Sequence, residues 1–216
     1  MEHVRPDEIE KRSFEIITKE LEGCDVLING NTPVDEKDTS VLGVIKRCIH
    51  TTADFDYAAS LCFSDSAIEK FKELVKGGAT IVTDTNMALS GINKKKLEKY
   101  GCRALCFMAD ENIAGIAKER GSTRASAAME HAMTINGPVI FVIGNAPTAL
   151  MTLREHFDKG EYTPAFIIGV PVGFVNVVVA KQLIMETSIP YIVNAGRKGG
   201  SNVAAAIVNA MLKEMP

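Results

Sequence analysis

Three kinds of group in this sequence have the chemistry to act on a small molecule: a histidine, a few arginines and a set of polar loops. His50 closes an apolar helical stretch, is followed by Thr51 and Thr52, and precedes Asp54 and Asp56. A helix C-terminus favours protonated imidazole, which makes His50 a usable general acid near neutral pH. A histidine at a helix end is also an ordinary structural residue. His3 lies in a charged terminus, and His131 and His156 sit in helical stretches, where surface or packing roles account for them. Arg12, Arg47, Arg124 and Arg197 lie in or beside the unusual segments. A guanidinium clamps carboxylates bidentately, although each of these arginines alone also reads as a solvated surface residue.

The loops follow short apolar runs. After 79–83 comes Asp84-Thr85-Asn86-Met87, and after 139–143 comes Gly144-Asn145-Ala146-Pro147-Thr148-Ala149. After 165–169 comes Val170-Pro171-Val172-Gly173-Phe174-Val175-Asn176, and after 191–194 comes Ala195-Gly196-Arg197-Lys198-Gly199-Gly200-Ser201-Asn202. Small residues there let the backbone approach a ligand. Helices starting near Pro147, Phe174 and Ser201 would aim their first N–H groups at a common crevice and favour phosphate or carboxylate. Ordinary turn chemistry explains any one loop; four together point to a shared site. No GxGxxG follows the first run, and no GxxxxGK followed by Ser or Thr occurs. Ser-His-Asp order, paired carboxylates and HExxH are also missing, and no spacing suggests a protein-bound metal. Cys48 points to the other side of a helix from His50.

These groups need a scaffold. The chain has 216 residues, is 46% hydrophobic and 24% charged, and carries a net charge of −3. That composition excludes intrinsic disorder, and the acidic balance excludes a nucleic-acid partner held by a basic surface. Cys24, Cys48, Cys62, Cys102 and Cys106 are odd in number and irregularly spaced, which fits reduced thiols in the cytoplasm. The start is charged, and no apolar run approaches the roughly 20 residues of a membrane helix. Residues 1–77 read as mainly helical. The first helix carries Ile9, Phe14, Ile16, Ile17 and Leu21, and the second follows Thr32-Pro33 with Asp35, Glu36 and Asp38 early and Lys46 and Arg47 late. A third is capped near Ser64-Asp65 and ends at Gly77-Gly78. From 78 onward, continuous apolar runs alternate with helix-length segments, as strands covered on both faces should. The expected fold is a single α/β domain over 1–216. It has a mostly parallel, Rossmann-like sheet flanked by helices and a helical N-terminal portion.

Seven ordered segments carry a family resemblance: Lys11-Arg12-Ser13-Phe14, Arg47-Cys48-Ile49-His50, Thr83-Asp84 with Met87 and Gly91, Thr123-Arg124, Ile143–Leu150, Gly169–Val175 and Gly196–Ser201. Throughout its length the chain resembles the precorrin-8X methylmutases, isomerases of corrin (cobalamin) biosynthesis and porphyrin metabolism. The resemblance implies migration of a methyl group from C-11 to C-12 of the tetrapyrrole precorrin-8 or cobalt-precorrin-8. The product is hydrogenobyrinate or cobyrinate, formed in a 1,5-sigmatropic shift. It places the catalytic proton donor on His50 and substrate contacts on Ser13 and Arg47.

The remaining substrate-binding expectations are Asp84, Met87, Arg124, Asn145, Pro147, Thr148, Gly173, Phe174, Arg197, Gly199, Gly200 and Ser201. Arginines and helix N-termini suit the substrate's carboxylates, and Met87, Phe174 and Val175 suit its apolar ring. No cofactor and no protein-bound metal are implied; cobalt, where present, arrives in the substrate. Family members are homodimers with the site near the subunit interface. The sequence departs from the family's Thr-Arg-Ser, with Ala125 after Arg124 and Ser126 one place later. The rival readings are a nucleotide-binding enzyme and a corrinoid carrier that binds without catalysis.

Overall fold

The computed structural model describes residues 5–22, 26–28, 32–33 and 39–216, with the backbone alone for 27–28 and 32–33. His3, Cys24, Asp35, Glu36 and Asp38 lie outside these. The chain begins with α1 (Ile9–Leu21), the short strands β1 (Leu27–Ile28) and β2 (Thr32–Pro33), and α2 (Thr39–Thr52). Next come α3 (Tyr57–Ser60), β3 (Leu61–Phe63), α4 (Ala67–Lys76), β4 (Thr80–Thr83), α5 (Asn86–Gly91) and α6 (Lys94–Glu98). Then follow β5 (Arg103–Cys106), α7 (Glu111–Arg120), α8 (Arg124–Ala132), β6 (Val139–Ile143) and α9 (Pro147–Asp158). The chain closes with β7 (Phe166–Gly169), α10 (Val177–Met185), β8 (Tyr191–Asn194) and α11 (Ser201–Lys213).

The main sheet is six-stranded in the order β3-β8-β7-β6-β4-β5. β4 to β8 run parallel, as the continuous apolar runs predict. Every residue of β6 is buried, and its side chains divide by parity: Ile140 and Val142 join one core, Val139, Phe141 and Ile143 the other. The first core packs Ile45, Phe71 and Met211 of α2, α4 and α11; the second packs Met129, Leu153 and Ile184 of α8, α9 and α10.

Three sequence expectations shift. β3 adds an antiparallel edge strand on β8 within the stretch expected to be helical. At α4 the cap position is Ser66, with φ of +54° and no side-chain cap bond, rather than Ser64-Asp65. α10 starts at Val177 after Asn176 at φ of +59°, three residues beyond Phe174. An αL residue ends the preceding loop before the helix can start.

The position of ligand chemistry follows from strand order. The chain leaves β4 for β5 on one side, then crosses back to β6 on the other. The carboxyl ends of β4 and β6 therefore form the topological switch point, where open α/β sheets bind ligands. α11 closes tightly over it. A Cβ on Gly144 would stand 2.7 Å from Ser201 Cα and 2.9 Å from Ser201 N. Both are backbone atoms of the α11 start, so neither can yield alone. Gly144→Ala is expected to cost about 1–3 kcal/mol as an overpacked contact, read as a lowered midpoint in urea denaturation.

Candidate functional site

The switch point holds a buried carboxylate. Asp84 has no exposed surface, and it accepts backbone N–H bonds from Gly144 at 2.8 Å, Asn145 at 2.8 Å and Ala146 at 2.6 Å. Burial pushes its carboxyl up, against the pull of these donors. Asp84 therefore holds the 144–146 turn from below and presents no oxygen to a ligand. The same bonds take up the N–H groups of the turn that leads into α9. Removing that acceptor leaves three donors without it; Asp84→Ala should lower unfolding stability by about 3 kcal/mol, measured by chemical denaturation.

Beside it, the Ser201 hydroxyl bonds that of Thr85 at 2.7 Å, and the Thr85 hydroxyl also caps α5 by accepting from Ala88 N. Ser201 is nearly buried, whereas Met87, in the first turn of α5, is 70% exposed.

The loop after β8 is fixed from beneath. Lys181, fully buried on α10, donates to the carbonyls of Gly196 at 2.9 Å and Lys198 at 2.7 Å. Burial lowers its ammonium to about 8. Buried Asn194 donates to the same Lys198 carbonyl at 2.8 Å and accepts from the Ser60 hydroxyl at 2.7 Å. Gly199 adopts φ of +149°, and a Cβ there would sit 2.1 Å from the Val170 carbonyl oxygen, so only glycine fits. Gly200 N donates to that same carbonyl at 2.9 Å, and Gly173 N to the Arg197 carbonyl at 3.1 Å. The Arg197 guanidinium lies 5.5 Å from the centroid of the Phe174 ring, which is 80% exposed. Lys198 reaches across to Asp54 and Asp56, both at 2.5 Å, four and six residues beyond His50. That contact holds the Asp54 carboxyl below its usual range.

His50 stands exposed in the last turn of α2. Its ring stacks on Phe14 of α1, with centroids 5.2 Å apart and planes 24° from parallel. The Arg47 guanidinium lies 4.6 Å from the same Phe14 ring and donates to Glu10 at 2.6 Å. Lys213, at the end of α11, donates to the same Glu10 oxygen at 3.0 Å. These two cations lower the Glu10 carboxyl from 4.5 to about 2. Ser13 turns its hydroxyl onto the Ile9 carbonyl of its own helix at 2.9 Å.

Two open grooves flank this cluster. One, of about 1040 Å³, runs along α1, α2 and α11 over Phe14, Gly43 and Ala210. The other, of about 780 Å³, passes Thr51, Met87 and Asn202. Both are lined by Glu10, Arg47 and Lys213.

The structure thus brings His50 and Arg47 of α2 together on Phe14 of α1, with Ser13 beside Phe14 in the chain; Arg47 and Met87 line a common groove, whereas His50 and Ser13 line neither. It does not bring Arg124 or Thr148 into either groove. Arg124 donates to the Met108 carbonyl, and Thr148 bonds the Thr123 hydroxyl at 2.9 Å. Ser126 bonds that same hydroxyl at 2.9 Å, so the displaced serine has a local partner. Asn145 and Pro147 belong to the Asp84-held turn.

The sequence reading missed Lys181, Asn194, Glu10 and Lys213 as parts of this architecture, and it held Phe14 only as a motif and apolar-face residue. A lone lysine in the run Val177-Val178-Val179-Ala180-Lys181 was a signal for a buried, fully bonded ammonium. No group of three or more metal-ligating side chains occurs among the described residues.

Glu10 gives a pH test. Its carboxyl is lower in the folded chain, so the stability it adds is complete above about 4.5 and disappears as pH falls toward 2. The stability gap between wild type and Glu10→Gln should be below about 1 kcal/mol at pH 6, because the pair is exposed. It should shrink as urea denaturation is repeated at lower pH.

Known proteins resemble this chain in sequence and in fold. The family model for precorrin-8X methylmutase matches residues 8–214. The cobalt-precorrin-8 methylmutase of Salmonella typhimurium is 41% identical over 209 residues, covering 96% of this chain and 95% of that protein. Its counterpart in Leptospira interrogans is 40% identical over 212 residues, covering 94% and 91%. The crystal structure of a precorrin-8x methyl mutase from Thermus thermophilus superposes with a TM-score of 0.81 at 35% identity, covering 95% of this chain and 96% of that one. With the family model covering nearly the whole chain and these relatives aligned end to end, this chain belongs to the precorrin-8X methylmutase family.

Proposed function

We propose that this protein moves a methyl group from C-11 to C-12 of cobalt-precorrin-8 or precorrin-8, with His50 as the proton donor. That the chain is an isomerase of cobalamin biosynthesis follows from its family. The observation that carries the assignment to His50 is its setting: an exposed imidazole at the end of α2, stacked on Phe14 beside the Arg47 guanidinium. The stack on Phe14 holds the ring in one orientation.

In the rearrangement the bond from the methyl group to C-11 breaks as the bond to C-12 forms. His50 donates a proton to the macrocycle near ring C and recovers one afterwards, so composition and oxidation state are unchanged. An isomerisation with that balance needs no redox cofactor, nucleotide or nucleophile, and any cobalt is part of the substrate. The substrate's carboxylates take Arg47 first, then Arg197. Met87, Phe174 and Val175, all strongly exposed, offer apolar surface to the ring. A homodimer with the site near its interface would cover Phe174 and Val175, two consecutive exposed apolar residues. The buried free thiols of Cys48, Cys62 and Cys102 suit a cytoplasmic enzyme. No helix of the described residues is long and apolar enough to cross a membrane.

The test is an absorbance time course with cobalt-precorrin-8 in one cuvette and metal-free precorrin-8 in another. Conversion is expected in at least one. His50→Ala should lower turnover roughly 10²–10⁴-fold, the usual contribution of general acid catalysis, while still binding the coloured product. Undiminished turnover in His50→Ala removes the acid role. Binding without conversion by the wild type makes the protein a carrier.

A further inference from the structure

Arg47 is not free in this structure: a carboxylate of the protein itself already lies on it. Glu10 bonds Arg47 at 2.6 Å and Lys213 at 3.0 Å through a single oxygen. These three residues are also the ones common to both grooves, so the cluster forms the partition between them. We propose that Glu10 is a resident carboxylate occupying a substrate carboxylate's place, and that binding exchanges it off Arg47 and Lys213 and joins the two grooves. This inference rests on the reading of Arg47 as a carboxylate clamp for the tetrapyrrole.

The geometry makes the exchange inexpensive. Glu10 sits in the first turn of α1, and its side chain is half exposed, so it moves by rotation without unpacking a core. Exposed ion pairs are individually weak, and replacing one carboxylate by another keeps the charge balance. Arg47 stays aimed while the anions change, because its guanidinium remains on the Phe14 ring. Two cations on one oxygen also exceed what a single carboxylate needs. A substrate with several carboxylates can engage Arg47 and Lys213 separately.

The alternative role for Glu10 is a plain tie between α1, α2 and α11. The two roles differ in sign. Removing a tie weakens substrate binding or leaves it unchanged; removing a competitor strengthens it.

The experiment compares wild type with Glu10→Gln in absorbance titrations using cobyrinic acid and a corrinoid whose side chains are all amides. Unchanged amide hydrogen exchange across α1 establishes that the helix is docked in the variant. The expected result is that Glu10→Gln binds cobyrinic acid roughly three- to tenfold more tightly, with no gain for the amide form. KM for the converted substrate should fall by a similar factor. Equal or weaker binding of cobyrinic acid, or the same gain for both ligands, overturns the exchange. A wild type that converts precorrin-8 while Arg47→Met binds cobyrinic acid normally overturns it as well, because Arg47 is then no carboxylate clamp. A wild type that neither binds nor converts overturns the proposed function and this inference with it.

Discussion

The site is built around one buried anion. Asp84 ends β4 at the point where strand order reverses, and its two oxygens take the N–H groups of Gly144, Asn145 and Ala146 at the end of β6. A carboxylate without exposed surface is tolerated only when it is so bonded. The turn it holds must then lie flat against the start of α11, which leaves no room for a side chain at Gly144. In many α/β proteins of this topology the switch point receives a ligand's anionic group. Here the protein supplies that anion itself. The absence of a phosphate-binding glycine pattern and the presence of Asp84 are therefore two aspects of one arrangement.

The cluster of Glu10, Arg47 and Lys213 lies where α1, α2 and α11 meet, between two grooves. Phe14 is shared by His50 on a stacking contact and by Arg47 on a cation–π contact. An aromatic ring between them fixes both without giving the imidazole a hydrogen-bonding competitor. A methyl shift demands little else of the protein. On the proposed mechanism one proton is delivered and a large ring is held still.

Much of this was legible in the chain before any coordinates. The five parallel strands stood out because strands covered on both faces read as unbroken apolar runs. His50, Arg47 and Ser13 were carried by their motifs, and the structure sets them on adjoining helices. The rest depends on contacts distant in sequence. β3 is a three-residue edge strand, too short to display a period, and it exists because Leu61–Phe63 finds β8. Asp84 reads as a polar strand-end residue in sequence. Only the register of β4 against β6 shows that it faces inward beneath the turn. Phe174 precedes α10 instead of starting it, because Asn176 takes a left-handed conformation that no spacing rule signals. Lys181 sits in an apolar helical run, and its partners are carbonyls of the loop after β8.

That last contact explains how two distant halves of the site hold a common geometry. The Lys198 carbonyl is fixed by two buried donors, Lys181 and Asn194, while its ammonium grips Asp54 and Asp56 just beyond α2. The backbone of this one residue is thus anchored to α10 and β8, and its side chain to the segment that follows His50. Its neighbour Arg197 carries the contact with Phe174. Of these links, the outer ion pairs are solvent-exposed and weak, whereas the inner bonds sit in the core and are costly to break. The loop's position is therefore set mainly by Lys181 and Asn194. Lys198 then relates that position to the end of α2 that carries His50, so the Gly-rich loop and His50 are coupled although they lie far apart in the chain.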